Sequence, residues 1–205
     1  MINILDCKNL NYLDKLKAIL NKRRFARKIN TNIASQIVSE IKKNKQKALL
    51  KYEKKFSKNT KIKPAKKEIN KSIKSLDPKI KNAIDFAYSR ILKFHSLQKN
   101  KNIKYVDKQN NKIEYRYIPI QSVGIYVPSN LPSTLLMNAI LAKKIAGVKR
   151  VVLANPRLNG KLNPAVMYAA RKCGISEIIS AGGSQAIASL AYIQKVNKIV
   201  GPGND

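Results

Sequence analysis

The placement of glycine divides this chain into two regions. All eight glycines lie at or after Gly124, and residues 1–119 contain none. Glycine permits tight turns, positive φ angles and close approach of backbones. Charge changes at the same place, because 32 of the 42 basic residues precede residue 120. We therefore predict a lysine-rich, mainly helical region at residues 1–119 and a compact unit of short, tightly connected elements at residues 120–205.

Two helices are predicted in the first region. One follows Thr31 or Asn32 as the N-cap, with apolar residues at steps of three or four. These residues are Ile33, Ile37, Ile41, Leu49, Tyr52 and Phe56. The second helix begins at Asp77-Pro78, an N-cap followed by proline at the first helical position. Its apolar positions are Ile80, Ile84, Ala87, Ile91 and Phe94. Residues 99–112 are a polar connection, for which a hairpin with residues 112–118 is the alternative.

From residue 121 onward, short strands alternate with helices. The predicted strands are residues 122–127, 149–155, 176–180 and 197–200, and the helices between them begin near Ser133, Asn163 and Ser184. Short strand–helix–strand connections favour a parallel sheet, and strands that are apolar on both faces require helices on both sides. The predicted fold class is therefore α/β, with an amino-terminal helical region followed by an incomplete doubly wound (Rossmann-like) parallel sheet.

The unusual residues of this unit follow the ends of the predicted strands, where ligands bind in open parallel sheets. The four segments are 126–128, 155–156, 181–185 and 201–204. Tyr126 would stack on or hydrogen-bond a cofactor, and Gln185 and Asn204 offer amide groups to a ribose or a base. The dinucleotide fingerprint G-x-G-x-x-G is absent. The residues alone therefore predict a site for a nucleotide or a small anion.

The chain offers few groups for acid–base or metal chemistry. Cys7 and Cys173 are far apart, which favours two reduced thiols over a redox pair. The single histidine, His95, lies near the end of a predicted helix, where a packing role is commoner than a ligand role. One histidine and two separated cysteines do not supply the three or so protein ligands of a zinc site. We therefore predict no catalytic residue and no metal ligand.

The formal net charge of +31 raises the question of nucleic-acid binding. Of the basic residues 34 are Lys and 8 are Arg, although base readout usually recruits Arg. The lysines are also dispersed among Asn and Ile, a pattern typical of AT-rich coding sequence. No segment approaches the ~20 apolar residues of a membrane span, and the amino terminus does not resemble a secretory signal. We expect a cytoplasmic protein, with lysine-rich polyanion binding as an alternative function.

Four motifs, in the same order, resemble the histidinol dehydrogenase family. Residues 119–128 are similar to the family's P-I-x-x-V-G-x-Y-V/I-P, and residues 132–139 to P-S-S/T-V-L-M-N-A. Residues 182–188 are similar to G-G-A-Q-A-I-A, and residues 198–204 are identical to K-I-V-G-P-G-N. In the helical region, residues 48–56 and Phe94-His95 match the family more loosely. The resemblance thus covers nearly the whole chain.

The resemblance implies that NAD contacts fall on Tyr126, Gln185 and Asn204. The family oxidises L-histidinol to L-histidine through the aldehyde, in histidine biosynthesis, using two NAD for each product. Its zinc site and its catalytic Glu-His pair lie on a later segment than residues 1–205. We therefore expect an amino-terminal portion that is inactive alone, with a second copy or a second polypeptide as partner. An NAD-binding module without chemistry is a further alternative.

Overall fold

The computed structural model describes Lys8, residues 11–128 and residues 130–202, without the side chains of residues 22–30. Its helices are α1 (Tyr12–Ser57), α2 (Lys66–Lys74), α3 (Pro78–Ser96), α4 (Pro132–Ala139), α5 (Pro164–Lys172) and α6 (Gly183–Tyr192). Its strands are β1 (Ile103–Val106), β2 (Lys112–Tyr115), β3 (Ser122–Tyr126), β4 (Arg150–Ala154), β5 (Glu177–Ile179) and β6 (Lys198–Val200). Helix α4 continues directly into a π-helical segment, Ile140–Ile145.

Four of these strands form a parallel sheet in the order β5-β4-β3-β6. Alternate residues of β4 point to opposite faces, as strand geometry requires. Val151 and Leu153 belong to the hydrophobic cluster with α2, α3, α4 and α5, whereas Val152 and Ala154 belong to the cluster with α1 and α6. Helices therefore cover both faces, and the predicted α/β fold with a doubly wound parallel sheet is confirmed.

The helices of the first region and the sheet share these two cores. Ile37, Ile41 and Leu49 of α1 are buried in the same cluster as Leu190 of α6. Ile84 of α3 is buried in the opposite cluster. The glycine-free region thus supplies part of the cover for each face of the sheet.

Helix α1 is longer than predicted. It begins at Tyr12, so the predicted N-cap at Thr31 or Asn32 is wrong, and both residues lie inside the helix. Lys, Leu, Ala and Arg are strong helix formers, and together with apolar residues at helical spacing (Leu13, Leu16 and Leu20) they extend the helix toward the amino terminus. The helix is interrupted at Lys45, whose φ of 48° is not helical. This break separates a half that buries Ile41 from a half that buries Leu49.

Two predicted helix starts are confirmed with their side-chain caps, and a third is confirmed to within one residue but without a cap. The Asp77 carboxylate accepts a hydrogen bond from the N–H of Lys79, and the Asn163 side chain accepts one from the N–H of Val166. These contacts satisfy amide groups that have no intrahelical partner. Helix α4 begins at Pro132, one residue before Ser133, and Ser133, whose side chain the sequence also offers as a cap, lies inside the helix. Proline has no N–H to cap, and its fixed φ suits the first helical position.

Two further elements precede the parallel sheet in the chain, namely helix α2 and the β1–β2 hairpin. Helix α2 was not predicted, and it packs against α5 through Ile69 and Ile73. The hairpin alternative is confirmed, because β1 pairs with β2 in antiparallel register and all eight strand residues are exposed. None of the described helices has the length and apolar content that a membrane span requires.

Candidate functional site

The sheet changes its direction of growth next to β3. From β3 the chain adds β4 and then β5 on one side, whereas β6 pairs with the other side of β3. The carboxyl ends of β3 and β6 therefore flank the point at which an open parallel sheet binds its ligands. A crevice is expected there, because α4, which follows β3, packs on one face of the sheet and α6, which precedes β6, packs on the other.

A cavity of about 370 Å³ occupies this position. That volume lies within the range of small-molecule pockets, which is about 300–1,000 Å³. Three sequence segments that follow strand ends contribute to its walls, together with the first turns of α6. The lining residues are Tyr126, Pro128, Gly183, Ser184, Ile187, Ile199, Val200, Gly201 and Pro202.

Tyr126 connects the end of β3 to the start of α6. It is the last residue of β3, and its hydroxyl oxygen accepts a hydrogen bond of 3.1 Å from the N–H of Gly183. A hydroxyl that accepts one hydrogen bond still has its own proton to donate. The Tyr126 side chain lines the cavity. It therefore presents a ring face and an O–H donor to a ligand at this point.

Gly201 allows β6 to lie close to Tyr126. Its φ is 140°, and a Cβ atom placed on it would lie only 2.1 Å from the carbonyl oxygen of Tyr126. Any side chain at residue 201 would push the end of β6 away from β3. The narrow crevice thus depends on a glycine at this position.

Gln185 is buried behind the cavity wall. Its Nε2 donates a hydrogen bond of 2.9 Å to Oε1 of Glu53 in α1, and the N–H of Gly182 donates a second one of 2.9 Å to the same oxygen. A Cβ atom placed on Gly183 would lie 3.0 Å from Oε1 of Gln185. Tyr126 and Gln185 therefore approach the same glycine from two sides. Asn204, the third predicted cofactor contact, lies outside the described residues.

The first amide groups of α6 are only partly available to a ligand. Those of Gly182 and Gly183 donate to Glu53 and to Tyr126. The amides of Ser184 and Gln185 lie in the first helical turn, where no intrahelical acceptor exists. A helix N-terminus favours negative charge and hydrogen-bond acceptors. Ser184, which lines the cavity, therefore offers a backbone donor at the positive end of α6.

Asn155 and Pro156, which follow β4, support the site from outside it. The Asn155 side chain is buried and donates a hydrogen bond of 2.8 Å to the carbonyl oxygen of Val127. Pro156 lies against Gly182, where an added Cβ would be 3.0 Å from the proline ring. These contacts fix the ends of β3 and β5 relative to each other. Asn155 and Pro156 do not line the cavity.

Charged clusters elsewhere join helices to one another. Arg157 forms a two-armed ion pair with Glu68, and its guanidinium holds the pKa of Glu68 below the ordinary value. Lys172 and Tyr168 both hydrogen-bond the Asp85 carboxylate and lower its pKa, and Lys172 has the larger effect. These pairs connect α2 to the segment after β4, and α3 to α5. They have no access to the cavity.

Among the described residues, the cysteine and the histidine lie apart from the cavity. Cys173 is buried, and burial raises the pKa of its thiol to about 11, whereas Cys7 lies outside the described residues. His95 is half-buried near the end of α3, and its Nδ1 lies 2.6 Å from Oε1 of Gln98. Across the described ranges, no group of three or more His, Cys, Asp or Glu side chains is arranged to hold a metal ion.

Glu53 was not predicted from the sequence as a residue of the site. It follows Leu49 by four residues and therefore lies on the apolar side of α1, where a glutamate breaks the pattern. This mismatch marks the residue as unusual. Its partners cannot be read from the sequence, because Gly182 and Gln185 lie 129 and 132 residues later.

The comparisons with known proteins agree on one family. The family model described as "Histidinol dehydrogenase" matches residues 21–205. The chain is 56% identical to histidinol dehydrogenase of Pelagibacter ubique (strain HTCC1062), over all of the chain and 49% of that protein. It is 41% identical to histidinol dehydrogenase of Pseudoalteromonas translucida, over 84% of the chain and 42% of that protein. The chain spans about half the length of the curated relatives it matches.

A solved structure supports the same relationship. The crystal structure of histidinol dehydrogenase from Elizabethkingia anophelis superposes with a TM-score of 0.78 at 37% sequence identity. The match covers 85% of this chain and 42% of that one.

Proposed function

The chain belongs to the histidinol dehydrogenase family, and from that premise we propose that it forms the part of such an enzyme that binds NAD. The observation that carries the proposal is the cavity between the ends of β3 and β6. It lies at the point where the sheet reverses its growth, and Tyr126 lines it opposite the first turn of α6. The same position was predicted from the strand ends alone.

The residues around the cavity suit part of a nucleotide. Tyr126 supplies an aromatic face and a hydroxyl donor, and the Ser184 N–H supplies a backbone donor at the positive end of α6. Ile187 and Ile199 give the cavity apolar walls, which exclude water from a bound ring. A volume of about 370 Å³ accommodates one half of a dinucleotide, so we propose that the other half extends over the rim. When bound, NAD supplies the hydride acceptor of the reaction.

The described residues do not fit the zinc ion of the family. They contain no suitable group of metal ligands, and the single histidine lies on α3 in contact with Gln98. We assign no proton-transfer or metal-dependent step to them. We propose that substrate binding and acid–base chemistry on L-histidinol are carried by a further polypeptide segment of the complete enzyme, and that the partner of this chain is a second polypeptide with that segment or a second copy of the complete enzyme. We propose the cytoplasm as the place of action.

A titration of the chain with NAD, measured by isothermal calorimetry, tests the binding proposal. We expect saturable binding by the 205-residue chain and an affinity reduced about tenfold or more by Tyr126→Ala, since aromatic stacking on a base is worth ~1–3 kcal/mol. Tyr105→Ala is the matched control, because Tyr105 is 56% exposed on the β1–β2 hairpin. Equal affinities of wild type and Tyr126→Ala, or no binding by the wild type, contradict the proposal.

A second measurement addresses the chemistry. We expect no NADH formation when the chain is incubated with NAD, L-histidinol and zinc, because no acid–base pair is assigned to its residues. Turnover by the isolated chain would show that the catalytic groups lie within residues 1–205. The nucleotide site would then stand, and the placement of the chemistry would be wrong.

The same calorimetric samples at rising salt separate a true site from weak attraction of NAD to a lysine-rich surface, because only the latter is strongly screened.

A further inference from the structure

Glu53 is a buried acidic residue without a cation. It lies on α1 and is fully buried against α6. No Lys or Arg of the described ranges forms an ion pair with it. Glu40, Glu68 and Asp85, in contrast, each pair with a basic side chain. A buried carboxylate is costly unless it is paired or well hydrogen-bonded. In a chain with a net charge of +31, this exception needs a reason.

Both hydrogen bonds of the Glu53 side chain are made with the turn between β5 and α6, next to the cavity. Its Oε1 accepts from the N–H of Gly182 and from Nε2 of Gln185, each at 2.9 Å. Its Oε2 is buried and accepts no hydrogen bond from the described residues. The positive end of α6 lies at the same place and offsets part of the cost of the negative charge. Glu53 thus holds the β5–α6 turn from a helix 129 residues earlier in the chain.

The carboxylate also determines how the Gln185 amide is turned. A carboxylate only accepts hydrogen bonds, so Gln185 must direct its NH₂ group toward Glu53. Its Oε1 then lies on the opposite side, against Gly183, which lines the cavity. Of the two polar atoms of the Gln185 amide, Oε1 is therefore the one nearer to Gly183, a residue of the cavity wall.

We propose that Glu53 is a positioning residue of the nucleotide site, which fixes the Gly182–Gln185 turn and presents the Gln185 amide oxygen as an acceptor. The inference rests on the proposed binding of NAD in this cavity. It specifies the chemistry recognised there, because an amide oxygen selects a ligand hydroxyl or amino group. The amides of Gly182 and Gly183 already donate to Glu53 and Tyr126, so the Gln185 oxygen adds a site for a ligand donor beside the Ser184 amide, which remains available to an acceptor.

Two substitutions at Glu53 separate positioning from charge. Glu53→Gln keeps one oxygen that accepts both hydrogen bonds, as Oε1 alone does now. Glu53→Met keeps the length of the side chain and removes both acceptors. We expect Glu53→Gln to bind NAD within about threefold of wild type and Glu53→Met to bind about tenfold more weakly, a factor equivalent to ~1.4 kcal/mol.

Two matched controls accompany these variants. Glu40→Gln makes the same charge change on α1, at a residue that contacts Lys51 and Tyr52 but not the turn. Leu49→Ala weakens the α1–α6 packing without touching Gly182 or Gln185. Both should bind NAD as the wild type does, even though Leu49→Ala unfolds at lower urea concentration. The inference is overturned if Glu53→Met binds normally, if Glu53→Gln binds as weakly as Glu53→Met, or if Leu49→Ala loses as much affinity.

Amide hydrogen exchange at Gly182 gives a readout that does not depend on NAD. We expect exchange to be faster in Glu53→Met than in wild type and unchanged in Glu53→Gln. If the wild type fails to bind NAD, the proposed function fails, and the exchange measurement alone decides the role of Glu53. Unchanged exchange at Gly182 in Glu53→Met would then refute the positioning role, whereas faster exchange would support it.

Discussion

Replacement of Gly201 by alanine tests the closest backbone contact at the site. The added Cβ would lie 2.1 Å from the carbonyl oxygen of Tyr126, and also 3.0 and 3.2 Å from that residue's carbonyl carbon and nitrogen. Side-chain carbons do not approach other atoms closer than 3.0 Å, so the two backbones must separate by about 1 Å. The φ of 140° is in addition a conformation that alanine rarely adopts.

These two effects set the size of the expected loss. A strained backbone conformation costs about 1–3 kcal/mol, and forcing an extra carbon into a packed site costs a further ~1–3 kcal/mol. We expect Gly201→Ala to lower the free energy of unfolding by about 2–6 kcal/mol. The lower part of this range applies if β6, a three-residue edge strand, separates from β3 and so relieves the clash.

Gly160→Ala is the matched control for the backbone term. Gly160 has a φ of +74°, yet nothing lies within 4 Å of an added Cβ. It should lose only about 1–2 kcal/mol, the cost of the left-handed conformation. Urea unfolding measures both losses, and an NAD titration should show weaker binding by Gly201→Ala only. Equal losses in the two variants, together with normal NAD binding by Gly201→Ala, would refute the close approach of β6 to Tyr126.

Three other perturbations test the surrounding framework. Asp85 has a pKa below its ordinary value, so its ion pair stabilises the fold above about pH 4 and loses this effect as the pH falls through the folded-state pKa. The free energy of unfolding in urea should therefore fall less between pH 7 and pH 3 in Lys172→Met than in the wild type. An equal fall in the two proteins would argue against the ion pair. Cys173, with a thiol pKa of about 11, should react slowly with a thiol reagent at pH 8 in the native protein and fast in urea; fast native reaction would mean that its site opens readily. Asn163→Ala should cost about 1 kcal/mol of unfolding free energy through loss of the α5 cap, and Asn163→Asp should not; equal losses would exclude capping as the cause.

The architecture was accessible from sequence where local chemistry fixes local structure. Asp77-Pro78 and Asn163-Pro164 each combine a capping side chain with a proline, and both helices begin at those points. The strands were recognisable because both of their faces are apolar. Their carboxyl ends share one edge in any parallel sheet, so the location of the cavity followed from the strand assignments.

The remaining features depend on contacts between distant residues. The start of α1 was missed although Leu13, Leu16 and Leu20 recur at helical spacing, whereas α2 was missed because two isoleucines in nine residues are a weak signal. Gln185 was predicted as a cofactor contact, and its Nε2 proves to be held by Glu53, 132 residues earlier. The role of Asn204 as a cofactor contact stays a prediction.

The large sequence separation between α1 and α6 also affects when the two helices can pack during synthesis. Glu53 emerges from the ribosome 129 residues before Gly182, its hydrogen-bonding partner. At about 5–20 residues per second, the apolar side of α1 remains without its partner α6 for on the order of ten seconds. Contacts of such sequence separation also slow folding, because the loop must close before the packing energy is gained. During that interval the nascent chain exposes Ile37, Ile41 and Leu49, which are buried only after α6 has been synthesised.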